Sequence, residues 1–164
     1  MEIVKDLLDE DEKILWMREI QIIDFLHKKN KRLYKSIKDF YPDNNEILRN
    51  YKLNEYITNK HLIIFEPNRY DYPDWCGVDI SHIFEYRREF CFYNLEKLTE
   101  ITKYVKEKKQ RYDIGLYFDL FEQKIVGDDA PNHWLDKLTL SEFEKLLELL
   151  PKVAPNAKIY EGLH

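Results

Sequence analysis

The residues whose types could do chemistry fall in three stretches. "YDYPDWCGVDISH", residues 70 to 82, holds Asp71, Asp74, Cys76, Asp79 and His82. Carboxylates beside an imidazole can bind a metal or move protons. The spacing in this stretch matches no zinc motif, with no HExxH, no paired CxxC and no Asp-x-Asp. Asp71 and Asp74 flank a proline and read as turn residues. "GDDAPNHW", residues 127 to 134, brings together Asp128, Asp129, His133 and Trp134. A loop Trp can anchor a partner, or it can cover the open end of a sheet. Trp75 and Trp134 are the aromatic binding candidates. Cys76 and Cys91 are too irregularly placed for a redox or metal pair and read as reduced thiols. The four glycines, at 77, 115, 127 and 162, are isolated, so no loop cradles a phosphate. These observations predict no cofactor, no metal and no catalytic residue. A hydrolase working through Asp71–His82 is the alternative.

The third stretch is a surface. "FLHKKNKRLYKSIK", residues 25 to 38, carries six Lys or Arg and no acid. Leu26, Leu33, Ile37 and Phe40 fall roughly on one helical face, and the remaining positions are largely basic. The spacing predicts an amphipathic basic helix ending before Pro42. Lys28, Lys31, Arg32 and Lys35 could meet anionic lipid or a nucleic-acid backbone. Charge runs more often only solvate a helix. A second group, Lys103, Lys106, Lys108, Lys109 and Arg111, reads as decoration of a turn or helix end.

Several elements must position these residues. "MEIVKDLLDEDEKILW" opens with Ile3, Val4, Leu7 and Leu8 at helical spacing, and "KILWMREIQII" reads as a strand. "YITNKHLIIF", residues 56 to 65, reads as strand, turn at Asn59 and Lys60, strand, with Asn supplying a left-handed backbone. "GVDISHIFEYRREFCFY" gives one bent strand or two short ones. "NLEKLTEITKYVKEKK" fits a helix capped by Asn94 and equally a strand rich in Thr, Ile, Tyr and Val. "YDIGLYFDL" alternates, with Ile114, Leu116, Phe118 and Leu120 on one side. Thr139 and Glu142 form a capping box that Leu138 and Phe143 can staple. Phe143, Leu146, Leu147 and Leu150 make a helical stripe that Pro151 should stop.

The chain of 164 residues fits one domain, and 44% apolar residues suffice for a core. Aromatics at 15% favour strands. A net charge of −5 argues against a generic nucleic-acid binder. No apolar run reaches the roughly 18 residues that cross a bilayer. The acidic N-terminus is unlike an export signal, so a cytoplasmic location is expected.

The motifs together resemble those of bacterial pleckstrin-homology-like domains. Asp11, Glu12, Ile14, Leu15 and Trp16 match an acidic opening strand. Tyr56, Ile57, Thr58, Asn59, Leu62 and Ile63 match the family's hairpin, with His61 where Arg is usual. Ile80 and Ile83 match the strand after it. The resemblance implies an α+β fold over residues 1–164: a strongly bent antiparallel sheet, or partly open barrel, of seven strands plugged by the C-terminal amphipathic helix. A helical insertion at about 25–50 departs from the family pattern. The expected function is protein binding without catalysis, as in an inhibitor or immunity-type protein of bacterial or phage kind. Peripheral binding of anionic lipid or nucleic acid through residues 25–38 is the alternative.

Overall fold

The computed structural model describes residues 3–21, 52–65, 83–118 and 133–162. The chain divides into two compact units, Met1–Tyr93 and Asn94–His164.

In the first unit a short 3-10 turn, Ile3–Leu7, leads to β1, Ile14–Gln21. Then come β2, Lys52–Thr58, β3, His61–Phe65, β4, Phe84–Arg87, and β5, Phe90–Asn94. They form a sheet in the order β1-β2-β3-β5-β4. The opening hairpin forms where the sequence placed it, with Ile57 opposite Leu62 and Tyr56 opposite Ile63. Its turn is not left-handed at Asn59. Among the described residues, positive φ outside glycine occurs at Arg88, which turns the β4–β5 connection, and at Gln110 and Lys137. The core on one face of the sheet is Val4, Tyr56, Ile63 and Phe92, with Leu7, Leu8, Ile14 and Phe90 packed against it. The expected helical turn at the N-terminus is thus present in 3-10 form, with Val4 buried and Leu7 and Leu8 partly buried. Cys91 is fully buried, as a core thiol should be.

The second unit opens with a 3-10 turn, Leu95–Lys97, then β6, Leu98–Lys106, and β7, Arg111–Phe118. After β8, His133–Leu138, come helix α1, Leu140–Val153, and β9, Lys158–Glu161. The sheet order is β8-β7-β6-β9, with β9 parallel to β6 and the other pairs antiparallel. Both readings of residues 94 to 109 had a physical basis. Asn94 does cap, accepting from the Glu96 N–H at 3.0 Å, but for one turn only. β-branched residues and pairing with β7 then win. In β7, Ile114 and Leu116 are fully buried, yet Asp113 and Gly115 on the other side are buried too.

Helix α1 has its complete capping box. Thr139 Oγ1 accepts from the Glu142 N–H at 3.1 Å, and the Glu142 carboxylate accepts from the Thr139 N–H at 2.9 Å. Its buried residues are Phe143, Leu146 and Leu150, while Leu147 is half-buried at the edge of the stripe. Phe143 meets the Tyr112 ring of β7 at 5.3 Å. Pro151 lies inside the helix, which runs on to Val153 and closes with the Ala154 N–H donating to Leu150.

The expected fold needs correction. The described strands do not make one bent sheet or a partly open barrel. They make separate five- and four-stranded sheets, and a strand, β9, follows the helix that was to be the last element. Before β2 the described helical structure is the 3-10 turn alone. The basic helix at 25–38 and the insertion at 25–50 lie outside the described residues, as does Ile80.

Candidate functional site

Among the described residues, a dense cluster of ionisable groups lies where the acidic lead-in to β1 meets the β2–β3 turn. Glu12 has a side chain with no exposed surface. One of its oxygens accepts the Asp9 N–H at 3.0 Å. The other takes the Thr58 hydroxyl at 2.5 Å and His61 Nδ1 at 2.7 Å. Thr58 Oγ1 in turn accepts the N–H groups of Lys60 and His61, at 3.0 and 2.8 Å, which closes the turn. Asn59 bonds across to the lead-in, accepting from the Lys13 N–H at 2.8 Å and donating to the Asp11 carbonyl at 3.2 Å.

Arg87, from β4, completes the cluster. It donates to the Leu7 carbonyl at 2.7 Å and pairs with Asp9 at 3.0 Å and Glu85 at 2.5 Å. Its guanidinium lies 4.4 Å above the Phe92 ring, while His61 meets that ring edge-on at 5.3 Å. Burial works against the Arg87 charge, but the bonds and charges of Glu85, then Asp9, outweigh it and raise its pKa. Outside the cluster Lys60 bonds Asp11 at 2.6 Å. That bond holds Asp11 below the usual carboxylate range and Lys60 above the usual amine range.

Asp9, Glu12 and His61 offer ligand atoms within 4.8 Å of one another, a spacing a divalent cation could use. The groups present do not fit one. Both Glu12 oxygens are already engaged, and Arg87 supplies the neutralising charge, 3.0 Å from Asp9 and 4.0 Å from Glu12. A metal would have to break these bonds. The arrangement instead works as a latch that clamps the start of β1 onto the hairpin. A second ionic clamp, Arg18 opposite Glu55, is buried, with Arg18 Nη2 and Nε donating to Glu55 Oε2 at 2.8 and 3.1 Å.

Of the residues singled out from sequence, Lys28, Lys31, Arg32, Lys35 and Trp75 lie outside the described residues. So do Asp71, Asp74, Cys76, Asp79, His82, Asp128 and Asp129. Trp134 is on β8, half-buried, with its ring 4.8 Å from Tyr104. Tyr104 is backed by Gly162, where an added Cβ would come within 2.1 Å of the ring, and its hydroxyl bonds that of Tyr117 at 3.1 Å. The second basic group spans the β6–β7 turn, with Lys103 near Glu161 and Arg111 on Asp113. Asp113 also accepts the Lys137 N–H, pinning the β8 bulge.

Among the described residues, large apolar side chains stand exposed mainly on outer strands. Leu15 and Met17 of β1 are 47% and 48% exposed, and Ile159 and Tyr160 of β9 are 44% and 45% exposed. Ile14 faces Thr58 and Trp16 faces Ile57, so Leu15 is the extra residue of a bulge, a device that re-aims side chains.

No family model matches the chain, and no curated protein matches it. Among solved structures it is similar to the hSac2 domain from human phosphoinositide phosphatase Sac2, at 14% identity and a TM-score of 0.45. The match covers 98% of this chain and 83% of that one. At that score the likeness carries no argument about this chain's fold or activity. No helix among the described residues is long and apolar enough to cross a membrane.

Proposed function

We propose that this chain is a protein-binding domain with no catalytic step of its own, related in its hairpin motif to bacterial pleckstrin-homology-like domains. The observation that carries the reading is the pair Leu15 and Met17, two large apolar side chains about half exposed on the outermost described strand of the five-stranded sheet. Exposed apolar groups held on a paired strand are what a protein partner buries. The ionic latch supports the same reading, because its carboxylates, imidazole and guanidinium bond one another. An inhibitor or immunity-type role, which needs a docking face and no chemistry, suits it. Capture from the native host tests it. Proteins retained by the immobilised wild type should be lost with Leu15→Glu/Met17→Glu, a change at exposed positions that leaves the core intact. Equal capture by both would refute the assignment of this surface.

A further inference from the structure

We infer that β9 joins two copies of this chain, paired antiparallel about a twofold axis at Tyr160. All four β9 residues are exposed, and among the described strands β9 has one neighbour, β6. Gly162 donates its N–H to the Lys103 carbonyl at 2.7 Å, and Tyr160 lies opposite Thr102. Alternation along a strand then turns the main-chain groups of Lys158, Tyr160 and Gly162 toward β6 and those of Ile159 and Glu161 away from it. Such an edge is a template for another strand.

The sequence of the edge selects that strand. The chain carries a net charge of −5, yet Lys158 and Glu161 cancel within β9, so two copies meet there without the repulsion they feel elsewhere. Only registers that set outward residues against outward residues are possible. Centred on Glu161, the pairing opposes two carboxylates. Centred on Ile159, it sets Glu161 against Ala157, whose N–H is already bonded to Ala154. Centred on Tyr160, Ile159 and Glu161 of one copy exchange both main-chain bonds with Glu161 and Ile159 of the other. Tyr160 then faces its own copy at a non-hydrogen-bonded position, where side chains approach most closely. Lys158 faces Gly162, and no like charges are opposed. Lys103, 3.7 Å from Glu161, neutralises the carboxylate beside which the partner's Ile159 packs.

Sedimentation equilibrium of the full chain over about a hundredfold range of concentration tests this, because mass action makes dimer content rise with concentration. The wild type should pass from monomer to dimer. Ile159→Pro removes an outward N–H and leaves the ladder to β6, and Tyr160→Lys puts like charges on the axis. Each should raise the dissociation constant at least tenfold with circular dichroism unchanged. Tyr160→Cys should give a disulfide-linked dimer under mild oxidation, since a non-hydrogen-bonded pair holds Cα atoms within disulfide range. A wild type that stays monomeric throughout overturns the inference. So does a dimer that survives Tyr160→Lys, the exposed substitution that decides alone if Ile159→Pro fails to fold.

Discussion

At the scale of single residues, Glu12 does the most. It is a carboxylate without exposed surface that accepts from Asp9, Thr58 and His61 at once. Glu12→Ala takes the acceptor from the Asp9 N–H, the Thr58 hydroxyl and His61 Nδ1, and removes a charge 4.0 Å from Arg87, in a poorly solvated place. We expect a loss of about 2–4 kcal/mol in urea denaturation, from unsatisfied polar groups and a broken ion pair. A second residue reports on the aromatic group. Burial, then the hydrogen bond shared with the Tyr104 hydroxyl, raises the Tyr117 pKa well above the ordinary tyrosine value. The folded protein should therefore hold this proton while the unfolded chain releases it near pH 10. Stability falls as pH rises above that value, because the unfolded state binds fewer protons there. The difference in absorbance near 295 nm between wild type and Tyr117→Phe should show no ionisation step near pH 10 before unfolding. The sequence pointed to part of this chemistry. Glu12, Thr58 and Asn59 were matched as motif positions, and His61 as the departure from it. That they meet was not legible, because 46 residues separate Glu12 from Thr58 and only the folded sheet joins them.

At the scale of elements, structure set by consecutive residues is legible in the sequence, and long-range pairing is not. The capping box and apolar stripe of α1 lie in consecutive residues, and the helix forms there with its box complete. The burial of the stripe makes Leu146 the residue to test. Leu146→Ala should cost about 2–5 kcal/mol, the usual range for a buried Leu, read by thermal or urea unfolding. Leu147→Ala, at a half-buried position, should cost less. β6 illustrates the opposite case. Asn94 and the Leu95–Leu98 spacing signalled a helix, and the chain makes one turn of it before pairing with β7 takes over. β9 was missed because "KIYE" is short, follows the helix, and is a strand by virtue of β6 beside it.

For the whole molecule, the division of strands into two sheets rests on long-range pairing that no periodicity records. A net charge of −5 opposes approach to an anionic surface. We expect the wild type to show no binding to acidic vesicles or to duplex DNA at near-physiological salt by co-sedimentation. Salt-sensitive binding abolished by reversing Lys28, Lys31, Arg32 and Lys35 to Glu would favour the anionic-surface alternative. The most direct test of the protein-binding account is amide hydrogen exchange of the chain with and without its captured partner. The account predicts added protection in and around Ile14–Gln21, beside Leu15 and Met17, with no change across α1. Protection that leaves β1 untouched and falls elsewhere would contradict it.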